Sequence, residues 1–169
     1  MMMLNGVVLE NFRAYSHKRI YHIIFDHMKR PYNFLDTQTL DELEVLINVV
    51  EQGNYKGVVF ASSKSTFIVG ANIKIFVTAH DATEETIGSF LKQGQDLFNR
   101  IEDLPIPTCS IIRGTTMGGG LELALACTSR LLIKDPIPDD PKYTTVQLTK
   151  LSLPEVKLGI LPAWGGTTR

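Results

Sequence analysis

A glycine triplet, Gly118-Gly119-Gly120, stands between two apolar runs, and a single carboxylate, Glu122, follows it. The run ahead, residues 109–112, reads as a short buried strand. The run behind, residues 121–127, is rich in alanine and leucine and has high helix propensity. A strand that feeds a glycine turn and opens a helix leaves backbone N–H groups facing open space. Those donors, at the positive end of the helix, suit a negatively charged oxygen. Glu122 falls in the first helical turn, beside whatever oxygen is held there. Donors for an oxyanion with a carboxylate next to them are the parts of an acid–base enzyme. The rival reading is a first-turn acid that only offsets the helix dipole. It loses weight because Leu121 and residues 123–127 are too apolar to leave Glu122 a solvated face. The triplet is neither a G-x-G-x-x-G fingerprint nor a Walker loop, since no Gly-Lys-Ser/Thr follows.

Several elements must hold that turn in place. Residues 1–16 offer at most a first, partly exposed strand, and residues 18–25 alternate as a strand does. Thr39 and Glu42 have the spacing of a capping box. Leu40, Leu43, Leu46, Ile47 and Val50 then recur at helical spacing, and Gly53-Asn54 is the stop. Residues 57–61 form a compact apolar strand, which completes a β–α–β unit and predicts a parallel sheet with helices against it. Gly70, between apolar residues and ahead of an expected short helix, frees further backbone N–H groups. Residues 81–83 can cap a second long helix with a face of Ile87, Phe90, Leu91, Leu97, Phe98 and Ile101, interrupted by Gly88 and Gly94. Strands are expected at 108–113 and 130–134. Residues 135–150, with three prolines and three acidic residues, read as a surface excursion. Residues 153–162 resume the apolar pattern, and residues 165–169 look like a helix entry.

Composition narrows the classes. The chain has 169 residues, 44% hydrophobic and 21% charged, with a net charge of −1. That is enough for one domain with its own core. No clustered Lys and Arg mark a nucleic-acid footprint, and no apolar run reaches membrane-spanning length. The first ten residues lack the pattern of a secretory signal, so a cytoplasmic site is expected, with the mitochondrial matrix as the alternative. Cys109 and Cys127 lie in apolar runs and read as reduced buried thiols. No Cys/His spacing suggests a metal, and the four histidines accompany no nucleophile motif.

Three ordered segments are specific enough to name a family. Residues 118–127 (GGGLELALAC), residues 153–162 (LPEVKLGILP) with Gly165-Gly166-Thr167, and residues 67–74 (FIVGANIK) resemble the enoyl-CoA hydratase/isomerase, or crotonase, family. The wording is nearest to the hydratase domain of multifunctional fatty-acid β-oxidation α subunits. The resemblance runs from about Ile20 to Arg169. It implies an α/β fold, a crotonase-like spiral of ββα units, cut short before the family's C-terminal helices. It implies one N-terminal domain over residues 1–169, with 135–150 as an insertion. By motif position, the two backbone donors of the oxyanion hole fall on Ala71 and Gly119, and the two carboxylates on Glu122 and Glu155.

The implied reaction is addition of water across the 2,3 double bond of an enoyl-CoA thioester. No cofactor is expected, coenzyme A entering as part of the substrate. The alternatives are Δ3–Δ2 enoyl-CoA isomerisation, or a non-catalytic acyl-CoA-binding or assembly module. The expected partners are an acyl-CoA thioester and either further copies of the chain or a multifunctional β-oxidation complex. This chain departs from the family at Asn72, where aspartate is common, and at Ala163, a frequent glycine. Its link between Glu122 and Glu155 is also longer than usual.

Overall fold

The computed structural model describes residues 2–4, 6–72, 83–133 and 149–169. Strands β1 (Met2–Leu4) and β2 (Val7–Leu9) form an antiparallel hairpin. A five-stranded sheet follows in the order β3-β4-β5-β6-β8. Its members are β3 (Phe12–His17), β4 (Ile20–Phe25), β5 (Gly57–Ser62), β6 (Thr108–Ile112) and β8 (Ser129–Leu132). Only β3 and β4 pair antiparallel; the other three ladders are parallel, as the β–α–β pattern predicts. Lys18 and Arg19 turn the β3–β4 hairpin with φ of 48° and 65°, the conformation that a two-residue turn needs to match strand twist.

Helices α1 (Thr37–Gln52) and α2 (Glu84–Glu102) pack on this sheet and on each other. The expected faces are the buried ones: Leu40, Leu43, Leu46, Ile47 and Val50 on α1, and Phe90, Leu97, Phe98 and Ile101 on α2. They meet Tyr21, Ile23 and Phe25 of β4 and Val58 and Phe60 of β5 in one core. No helix among the described residues is long and apolar enough to cross a membrane.

The capping box expected at Thr39 and Glu42 is not formed. The helix begins earlier, and Asp36 is its cap, accepting from the Thr39 amide at 2.9 Å and the Thr39 hydroxyl at 2.8 Å. Glu42 is buried and serves another element. Its carboxylate accepts from the amides of Glu10 (3.1 Å) and Asn11 (2.8 Å) and from the Asn11 side chain (3.0 Å). The threonine–glutamate spacing misleads because an aspartate three residues ahead of Thr39 makes an equally good cap, and tertiary demand claims the glutamate. Asp36→Ala is therefore expected to lower stability by about 1 kcal/mol, the usual cost of a lost N-cap. Urea unfolding measures it; an unchanged midpoint would return the cap to Thr39.

A third sheet, of two strands, sets up the site. In it β7 (Thr115–Met117) pairs parallel with β9 (Lys150–Ser152), Met117 opposite Ser152. Helix α3 (Gly119–Ala126) starts where β7 ends, and a 3₁₀ helix (Pro154–Leu158) starts just after β9. The short helix expected after Asn72, its neighbours Lys74 and His80, the cap at Asp81 and nearly all of the 135–150 excursion lie outside the described residues.

Candidate active site

Gly118 is the pivot. It has φ 51° and ψ −128°, a region in which essentially only glycine is unstrained. Its amide is fixed to the Ser152 carbonyl at 3.0 Å, and its own carbonyl takes the amides of Leu121 and Glu122 at 2.8 and 3.0 Å. The next amide, that of Gly119, is the first of α3 and has no acceptor within the helix. It donates to nothing among the described residues.

The Ala71 amide has no acceptor among the described residues for a different reason. Residues 33–35 run beside 69–72 as an isolated parallel bridge: Val69 donates to Asn33, Leu35 to Gly70 and Asn72 to Leu35, at 2.9–3.0 Å. In a parallel pairing alternate residues point their peptide groups away from the partner, and Ala71 is the one turned away. This segment is held against the pivot. The Met117 amide donates to the Ile68 carbonyl at 3.1 Å. The Gly70 Cα lies 3.7 Å from where a Cβ on Gly118 would stand. Gly120 allows the close approach, since a Cβ there would fall 2.5 Å from the Ile68 carbonyl oxygen. The two segments expected to carry donors are thus neighbours.

Glu155 reaches the same turn. Parallel pairing of β7 and β9 brings their C-terminal ends side by side, so the 3₁₀ helix begins next to Gly118. One Glu155 carboxylate oxygen lies 2.6 Å from the Cβ position of Gly118. The other is buried with no hydrogen-bond partner among the described residues. Glu155 therefore faces inward, on a 3₁₀ helix rather than a strand, and the long link from Glu122 does not displace it. The β7–β9 register fixes its place whatever the intervening length, and lengthening a loop costs little.

Glu122 is 2% exposed. Its Oε1 accepts from the amides of Trp164 (2.7 Å) and Gly166 (2.9 Å). Burial raises the carboxyl above its ordinary value; those two amides and Arg169 oppose this, and the nearby Glu155 charge adds to it. A buried carboxyl held above its ordinary value, with a second carboxylate beside it, is equipped to take up and pass on a proton. Cys127 is different: burial pushes its thiol up to about 12, which keeps it protonated and inert.

The family model described as "Enoyl-CoA hydratase/isomerase" matches residues 19–169. The chain belongs to the enoyl-CoA hydratase/isomerase family. The fatty acid oxidation complex subunit alpha of Aliivibrio fischeri is 46% identical over 134 residues, which cover 79% of this chain and 17% of that protein. The enoyl-CoA hydratase of Bacillus anthracis superposes with a TM-score of 0.77 at 25% identity, over 94% of this chain and 56% of that one. DspI of Pseudomonas aeruginosa gives a TM-score of 0.79, also at 25% identity, over 95% and 59%. The chain thus spans a sixth of its curated relative and somewhat over half of these solved structures.

The sequence reading missed what surrounds the glutamates. The amides of Trp164 and Gly166 hold Glu122, Gly118 makes room for Glu155, and Gly94 accommodates Trp164. The last left a signal, an interior glycine on the buried face of an otherwise amphipathic helix. The amide contacts left none, since any residue but proline carries an N–H.

Proposed function

We propose that this chain is the hydratase portion of an enoyl-CoA hydratase of fatty-acid β-oxidation, with Glu122 and Glu155 as its acid–base pair. The observation that carries the reading is the Gly118 turn: one Glu155 carboxylate oxygen stands 2.6 Å from the Gly118 Cβ position, the other is buried with no hydrogen-bond partner among the described residues, and the amide of the next residue, Gly119, donates to nothing among them. In this reading the amides of Gly119 and Ala71 receive the thioester oxygen. As water adds to the β carbon, the π electrons of the double bond move onto that oxygen, where each donor stabilises the enolate by ~3 kcal/mol. The proton released by water passes to the carboxylate pair. Glu155 delivers a proton to the α carbon as the enolate collapses, so the pair ends with the protons it began with. Glu122, pinned at Oε1, turns its other oxygen to the water.

Coenzyme A enters only as the thioester, and no separate cofactor is required. The exposed Val156, Leu158 and Leu161 support assembly into a homo-oligomer or a multifunctional complex. A cytoplasmic site agrees with the bacterial relative. The test is absorbance at the conjugated enoyl-thioester band after adding crotonyl-CoA. A fall is expected. Conversion of a 3-enoyl thioester without hydration would replace this reading by isomerisation, and binding of CoA esters with no turnover would replace it by a binding module.

A further inference from the structure

Helix α2 lies outside the strands and turns that carry the two glutamates, yet it grips the segment that holds one of them. The Trp164 indole is 3% exposed and stands edge-on to Phe90 and Phe98, with ring centroids 5.2 and 5.5 Å away. Its ring N–H donates to the Leu91 carbonyl at 3.1 Å. The ring fills a notch left by glycines on two helices: a Cβ on Gly94 of α2 would fall 2.4 Å from the indole, and one on Gly119 of α3 would fall 2.5 Å from it. The flanking backbone is fastened to α2 as well. Gln95 donates to the Ala163 carbonyl at 2.8 Å. Arg169 donates to the Trp164 carbonyl and to Glu102, both at 2.6 Å, and also pairs with Asn99. This anchored segment presents the amides of Trp164 and Gly166 to Glu122.

A lone surface tryptophan would not need a glycine in the middle of a helix, where glycine weakens the element. The notch and the ring make sense together. We propose that Trp164 is a positioning residue for Glu122, its indole keyed into Gly94 so that α2 sets where the catalytic carboxylate stands. The proposal rests on the reading of Glu122 as a catalytic carboxylate. Its test separates the two.

Trp164 is the only tryptophan, so emission excited at the red edge of the absorption band, where tyrosine does not absorb, reports it alone. The charged groups facing Glu122 are Glu155 from the 3₁₀ helix and Arg169 from the C-terminal turn, the latter paired with Glu102 of α2. Emission is expected to change in one step as Glu122 titrates. Glu122→Gln should abolish the step. Glu155→Gln should move it to lower pH, because the Glu155 charge raises Glu122. No step, or one that survives Glu122→Gln, overturns the coupling whether or not enoyl-CoA is turned over.

The second arm displaces the ring. Gly94→Ala should red-shift the emission and raise the titration midpoint, since the amides withdraw from a carboxylate that stays buried. It should also lower kcat by about 10²-fold, the cost of roughly an ångström of misplacement, with KM unchanged. Trp164→Phe leaves room for the added methyl and should restore most of the kcat lost in Gly94→Ala. Equal losses with and without Trp164→Phe would overturn the keying. A wild-type protein without hydratase activity would sink the catalytic reading alone, and emission would then decide the positioning.

Discussion

Glu122→Gln is expected to lower kcat for crotonyl-CoA hydration by roughly 10²–10⁴-fold, the range for loss of one acid–base group. Glutamine keeps the shape and an acceptor oxygen for the Trp164 and Gly166 amides, so the loss would report proton handling and not collapse of the site. The same substitution is expected to stabilise the fold at neutral pH, for the following reason. Burial raises the Glu122 carboxyl above its ordinary value of 4.5. Between that value and the raised one, the native protein holds more protons than the unfolded chain. Stability therefore falls as pH rises through this window and stays lower above it. Glutamine carries no charge at any pH and escapes the loss. Urea midpoints should favour the variant at pH 8 and converge below pH 4.5. A variant less stable at both would overturn the burial argument, and one with unimpaired turnover would remove Glu122 from the mechanism. Glu155→Gln should lower kcat within the same range, and full activity in both variants would end the case for the pair.

Gly118→Ala should damage the site by a different route, through the backbone. At φ 51° and ψ −128° a side chain is strained by about 1–3 kcal/mol. The new Cβ would also stand 2.6 Å from a Glu155 carboxylate oxygen. That oxygen is the end of a flexible side chain, so the clash is relieved by moving it, and moving it takes the carboxylate from the turn. Hydration is expected to drop roughly 10²-fold, within the range for an acid–base group. The comparison that isolates the cause is a double-mutant cycle. In a Glu155→Ala background, Gly118→Ala should still cost stability but little further activity. Fully additive losses would mean that the glycine serves the oxyanion donor at Gly119 and not Glu155.

Much of this was legible in the chain itself. Residue pattern marked α1, α2 and the strands β4, β5, β6 and β8, but not β7 and β9, whose three residues each are too short to leave a repeat. The apolar neighbours of Glu122 pointed to a buried carboxylate. Glycine at 118–120 pointed to a turn with bare amides, and three ordered motifs led to the family. Thr39 and Glu42 were the exception: a local signal was overruled by the backbone of Glu10 and Asn11, far away in sequence.

What only the folded molecule decided concerns partners distant along the chain. The β7–β9 register delivers Glu155 to Gly118, which no length of intervening sequence could foretell. The bridge between Leu35 and Ala71 turns one amide outward, a choice made by pairing and not by residue type. The amides of Trp164 and Gly166 close on Glu122 because α2 clasps their segment at Gly94. Local preference is written in side chains. Backbone donors are nearly identical at every position, so which of them meet a carboxylate is settled by tertiary packing.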